Sequence, residues 1–193
     1  SLRLVEITND FWLAETEITH AQFQSITGKN LDDNASPQLP VKVNWQEAKS
    51  FCDVLNANNP LPGGLSWRLP TEAEWEYSCR AGERGPYHQT GIDSLKPNPA
   101  SYQKHLANYG WFDLNSNNQL HQVALKKSNA WGFFDMHGNA AEWCADAASQ
   151  NKISLINDQK PKQINPLSEA GLWRVLRGGS FNSSFDQCRS GHR

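Results

Sequence analysis

Apolar positions in this chain come in short groups separated by polar, turn-forming stretches, and three of the groups carry their own start signals. Val5–Thr8 and Phe11–Ile18 alternate or cluster in the manner of short strands. Thr19 with Gln22 makes a capping-box pattern, so a short helix is expected, with Phe23 and Ile26 on one face and a stop at Gly28. Asn44 with Glu47 repeats the pattern. A second helix to about Ala57 would place Trp45, Ala48, Phe51, Cys52 and Leu55 on one buried stripe. Thr71 with Glu74, just after Pro70 and with acids in the first turn, predicts a third helix to about Cys79.

From Ala81 to Ala130 the chain carries Gly, Pro, Asn and Ser throughout and shows no long periodic segment. Such a stretch would ordinarily argue disorder. Tyr87, Tyr102, Tyr109, Trp111 and Phe112 argue otherwise, because leaving that much aromatic area in water is costly. A packed but irregular region is expected. Trp131–Trp143 mixes aromatic, Gly and acidic residues, Lys152–Ala170 reads as a polar insertion, and Leu172–Phe181 reads as a strand ending at the Gly178-Gly179 pair. No internal repeat or domain linker interrupts the 193 residues, so one domain over 1–193 is expected.

Composition then narrows the function classes. Acidic and basic side chains number 20 and 18, for a net charge of -2, without the basic excess or stripe that phosphate neutralisation requires. Nucleic acid is not an expected partner. No apolar run approaches the roughly 18 residues of a membrane-spanning helix, and Ser1–Asp10 lacks the order of a signal peptide. Hydrophobic residues make up 38%, which is low, but eight Trp supply large buried area together with indole N–H groups that need partners. Cys52, Cys79, Cys144 and Cys188 are widely spaced and contain no C-x-x-C pair, which leaves three pairings or none open and favours small buried hydrophobes. The six histidines show no two-His spacing on one helix and read as surface or turn residues.

Several blocks in order carry a resemblance. Glu15-Thr16-Glu17-Ile18-Thr19, Pro40-Val41 with Val43-Asn44-Trp45, Trp67–Tyr77, Asn108-Tyr109-Gly110, Asn129–Asn139 with Glu142-Trp143, and Arg174–Phe181 resemble the formylglycine-generating-enzyme (sulfatase-modifying factor) domain family. The resemblance covers almost the whole chain. It implies a C-type-lectin-like α+β fold with little regular secondary structure, and a closing Gly-Phe-Arg strand that this sequence does not reach.

Catalytic members of the family oxidise a substrate cysteine with molecular oxygen, using copper(I) held by two cysteines after the Gly-Gly-Ser turn. The matching positions here are Ser183 and Cys188. Serine is a hard ligand unsuited to copper(I), so no catalytic residue and no copper are expected, and a noncatalytic member is favoured. The resemblance also implies a structural calcium held by Asp135, Gly138, Ala140 and Glu142, oxygen donors of the kind calcium takes. A second family calcium site, beginning near Asn108, is poorly kept, because Asn115, Asn117, Asn118 and Gln119 offer amides where a carboxylate is expected.

The frame Arg174–Ser180 with Cys188-Arg189-Ser190 further resembles the variable proteins of diversity-generating retroelements. Asn182, Ser183, Ser184, Phe185, Asp186 and His192 are all reachable by altering adenines in an asparagine codon, whereas Gln187 is not. These seven residues are the expected recognition patch for an unknown protein or surface ligand, and display at the cell surface or outside it is implied by resemblance. Two alternatives stay open: an oxygen-dependent enzyme acting on cysteine, or a regulatory adaptor module of a larger protein.

Overall fold

The three capping boxes start three helices. In the computed structural model, which describes residues 4–88, 99–148 and 161–193, α1 runs His20–Thr27, α2 Trp45–Asn58 and α3 Glu72–Arg80. Thr19, Asn44 and Thr71 each accept from the amide three residues on, and the side chains of Gln22, Glu47 and Glu74 return the bond. Gly28 closes α1 in the left-handed conformation. Phe23 and Phe51, both buried, stack with centroids 5.6 Å apart and join α1 to α2; Phe51 is the buried member of the expected α2 stripe, while Trp45, Ala48, Cys52 and Leu55 are half-buried.

The Phe11–Ile18 stretch forms no strand. Its carbonyls go to unlike partners, Glu15 O to the Phe134 amide and Ile18 O to the Val41 amide, so no ladder builds. Val5–Glu6 forms β1, which pairs in parallel with β3, Gln163–Ile164. The rest of the expected polar insertion, Lys152 to Lys160, lies outside the described residues.

Two further elements go beyond the sequence reading. Pro99–Leu106 is helix α4, opened by a proline with no amide to leave unsatisfied. Glu142–Ala148 is strand β2, antiparallel to β4, Trp173–Arg177, with Glu142 opposite Arg177, Trp143 opposite Leu176 and an irregularity before Ala147. β2 is poor in β-branched residues and is held by its surroundings: the Trp45 indole donates to Cys144 O, Ala145 N donates to Pro70 O, and the Trp143 indole donates to Val43 O.

Among the described residues, two buried clusters make the core. Trp75, Cys79, Met136, Cys144 and Val175 join α3 to the β2–β4 pair. Tyr87, Leu106, Phe112 and Cys188 form the second, flanked by Tyr102, Ala107 and Phe185. The irregular region is therefore packed by the aromatics expected to pack it. All four cysteines are free thiols, Cys52 half-buried and the others buried.

Candidate functional site

β4 ends at Gly178-Gly179, and the chain turns into the segment that carries the expected patch. Gly179 has φ +73°, and a Cβ there would sit 2.7 Å from Cys188 Sγ, so only glycine fits the turn. The backbone beyond it is held from outside. Phe181 N donates to Asn139 O, Ser116 Oγ donates to Phe181 O at 2.7 Å, Asp113 N donates to Ser183 O at 3.0 Å, and Tyr87 Oη donates to Phe185 O at 3.0 Å. Four residues distant in sequence thus fix four points of the 181–185 backbone.

The side chains divide into two groups. Asn182, Asp186 and Gln187 are exposed, and Ser183, Ser184 and His192 are half-buried. Ser183, Gln187 and His192 line one shallow cleft of about 150 Å³ with Ala141, Leu176 and Arg193. Phe185 stands apart: it is half-buried and packs on the second core cluster, 6.5 Å from the Tyr87 ring, so only part of it faces outward. Asn182 Oδ1 accepts from Ser180 Oγ, and Ser183 Oγ accepts from Ser180 N at 3.0 Å. Gln187 Oε1 accepts from Ser184 N, which closes the short 3-10 turn Phe185–Cys188.

One wall of the cleft is Arg177, whose side chain is fully buried. Its guanidinium donates to Glu76 Oε2 at 2.7 Å and to the carbonyls of Ser190 and His192, and it lies 3.6 Å from Glu72 and 5.2 Å from the Trp75 ring. Glu72 also holds Arg193, at 2.6 and 2.7 Å. Both arginines of the cleft are therefore matched by α3 carboxylates.

The two positions that match the family's copper ligands differ in kind. Ser183 is a turn hydroxyl occupied by Ser180. Cys188 is fully buried, and burial with the nearby Asp113 charge pushes its thiol up to about 12. A thiol so placed is not a ready thiolate.

The implied calcium residues form an acidic corner. Asp135, 1% exposed, accepts from Ala124 N with Oδ2 at 2.8 Å while its Oδ1 has no partner. Burial, then the Asp135 charge, pushes the Glu142 carboxyl up to about 7. Glu17, which lies in the Glu15–Thr19 block and carries no expected role, joins this corner. Its Oε1 accepts from Ala140 N at 3.2 Å, its Oε2 is buried without a partner, and burial with the charges of Asp135 and Glu142 raises its pKa well above the usual range. Gly138 packs so closely that a Cβ would sit 2.0 Å from Trp111 O. Among the described residues no three His, Cys, Asp or Glu side chains already surround one point. Near Asn108, Lys126 stands as a built-in cation, donating to Ala107 O at 2.7 Å, 3.7 Å above the Trp111 ring. Asn115 serves the backbone there, accepting from Phe112 N and donating to Gly110 O.

The histidine expectation is corrected at two positions. His88 and His137 are 6% and 0% exposed, buried by stacking on each other and by the surrounding tyrosines rather than placed in surface turns.

Residues 2–193 match the sulfatase-modifying factor enzyme 1-like domain. The chain belongs to this family. It is 26% identical to the chaperone protein LppX of Paenibacillus barcinonensis, across 91% of this chain and 71% of that protein. It is 30% identical to the bovine formylglycine-generating enzyme, across 79% of this chain and 37% of the enzyme. It is 32% identical to the serine/threonine-protein kinase Pkn1 of Chlamydia trachomatis, again across 79% of this chain but only 21% of the kinase. Among solved structures, Treponema denticola variable protein 1 superposes with a TM-score of 0.72 and 30% identity, covering 93% of this chain and 76% of that one. PvdO of Pseudomonas aeruginosa shares the fold, with a TM-score of 0.66 and 24% identity, covering 92% of this chain and 70% of that one. The fold is thus the α+β fold of this family, with little regular secondary structure. Among the described residues no helix is long and apolar enough to cross a membrane.

Proposed function

We propose that this chain is a noncatalytic member of its family that binds a protein or surface ligand through the cleft after Gly179. The observation that carries the reading is the anchoring of the 181–185 backbone by Tyr87, Asp113, Ser116 and Asn139. A loop shaped from outside can change its exposed side chains without losing its course, and pre-organisation lowers the entropy cost of binding. Asn182, Asp186 and Gln187 are the freest to vary, Ser183 and His192 contribute at the cleft, and Phe185 contributes through its edge. The likeness to a Treponema variable protein supports the same reading, and the cell surface or exterior is where such a patch would meet its partner.

Ser183 and the buried Cys188 supply one soft ligand where copper(I) chemistry of the family type uses two. Calcium fits the acidic corner better. The orphaned Asp135 Oδ1 and the raised Glu142 carboxyl are groups that a hard dication would satisfy, and the resemblance adds the Gly138 and Ala140 carbonyls as further oxygen donors. An adaptor role inside a longer protein draws on one observation, that this domain accounts for about a fifth of the kinase Pkn1.

The test has two arms. Copper content and oxygen consumption are measured on a cysteine-bearing sulfatase-type peptide for the wild type and Ser183→Cys. In parallel, binders selected from a displayed peptide library are re-tested against Asn182→Ala/Asp186→Ala/Gln187→Ala. The expected result is no turnover in the wild type and loss of the selected binders in the triple variant. One copper per chain with peptide oxidation by the wild type would overturn the reading.

A further inference from the structure

A group of buried and half-buried imidazoles has unmet bonding capacity. His137 Nδ1 lies 2.7 Å from Cys188 O and its Nε2 lies 3.3 Å from the His88 amide. The first nitrogen must donate and the second accept, so both nitrogens of His137 are occupied and its tautomer is set. His88 stacks on this ring, with centroids 4.5 Å apart, and is 6% exposed. Among the described residues, neither of its own ring nitrogens has a partner.

Tyr109 carries the cluster onward. Its ring meets His88 edge-on at 4.9 Å and stacks on His105 at 5.2 Å, and His105 Nε2 is likewise buried without a partner. Three ring nitrogens from two residues on one tyrosine are thus left open, and buried polar atoms without partners point to an ion or water that completes them. Among the described residues, the titratable groups that act on the pair are His137 on His88 and Lys127 on His105, with no carboxylate. Burial first, then the neighbouring imidazoles, holds His88 down to about 2, so its ring stays neutral and its lone pair stays available at any physiological pH. Neutral nitrogen donors without carboxylates disfavour calcium and magnesium and suit a borderline transition metal.

We propose that His88 and His105 form a two-imidazole site for a divalent transition metal of the zinc class. One nitrogen from each ring binds the metal and water completes its shell. Bound metal would tie His88 to helix α4. His88 and His105 do not line the cleft, so either proposal can fail without the other.

The test uses chelator-treated protein titrated with Zn²⁺ by calorimetry and with Co²⁺ by visible absorption, alongside the melting temperature at each metal level. One equivalent is expected to bind, with a rise in Tm. His105→Ala, a change at a half-buried position, should weaken Zn²⁺ at least tenfold, and His88→Gln should do the same if it folds. His20→Ala and Cys52→Ser should bind as the wild type does. Absence of binding up to 100-fold excess metal at about 100 μM, or a His105→Ala protein that binds as tightly as the wild type, would overturn the proposal.

Discussion

The Arg177 guanidinium and the Glu76 carboxylate meet at 2.7 Å across 101 residues of sequence, and this pair ties the last turn of the chain to helix α3. Because Arg177 also donates to the Ser190 and His192 carbonyls, one side chain holds a strand end, a helix and a loop. Arg177→Met should therefore leave Glu76, Glu72 and two carbonyls short of a donor. Glu76 keeps Arg80 and Glu72 keeps Arg193, so the loss falls on the Ser190 and His192 carbonyls, at about 1–3 kcal/mol for each one left without a donor, a large share of a domain's stability. A urea melt should show the midpoint falling accordingly, and Lys162→Met, which removes the half-exposed partner of Glu6, should change it by less than about 1 kcal/mol.

Ser116→Ala removes the hydroxyl that holds Phe181 O. The unpaired carbonyl should cost about 1–2 kcal/mol, and the loosened loop should weaken any selected binder even though residue 116 does not line the cleft. Asn182→Ala should do the opposite: nearly unchanged melting, altered binding. Equal melting of Ser116→Ala and wild type would show that the loop holds its course without this bond.

Gly179 and Cys188 should behave as a coupled pair. Gly179→Ala places a methyl 2.7 Å from Cys188 Sγ in a left-handed conformation, for a cost of about 2 kcal/mol or more. Adding Cys188→Ala relieves the collision but not the backbone strain. A double-mutant cycle should thus give a favourable coupling of about 1 kcal/mol with incomplete rescue.

The acidic corner predicts a pH signature. The folded Glu142 carboxyl titrates near 7, above its usual value, so the native state holds its proton longer and loses stability as pH rises from about 4.5 to 7. In chelator, Glu142→Gln should be more stable than the wild type above pH 7, by about 1–3 kcal/mol, and should converge with it near pH 4.5. Saturating calcium should reverse the order at pH 7.5, because the amide is the weaker ligand. His88 and His137, held down to about 2 and about 4 by burial first, act in the other direction and lose stability as pH falls below about 6.5. They are common to both proteins and drop out of the comparison.

What could be read in advance follows the range of each interaction. Thr19, Asn44 and Thr71 announce their helices because a capping box lies within four residues. Strand β2 could not be read, since Trp143, Cys144 and Ala145 take their bonds from Val43, Trp45 and Pro70, roughly 75 to 100 residues away. Helix α4 hides because it spans only eight residues, in which Tyr102 and Leu106 are the packed pair. At the site, the ordered motifs located the Gly179 turn and the acidic corner. They did not show that Phe185 leans on the core, that Glu17 faces Ala140, or that His88 is buried, because isolated residues in irregular backbone carry no period to read.

The neutralisation of Arg177 and Arg193 by Glu72 and Glu76 bears on how quickly a partner arrives. A cleft with bare arginines would draw anionic partners over a Debye length and show rates that collapse with salt. Here the positive charges end on α3 carboxylates within a few ångströms, so little field reaches beyond the surface. Association should proceed at the ordinary rate of roughly 10⁵–10⁷ M⁻¹s⁻¹ and change little with ionic strength. Discrimination between partners would then reside in how slowly the right one leaves.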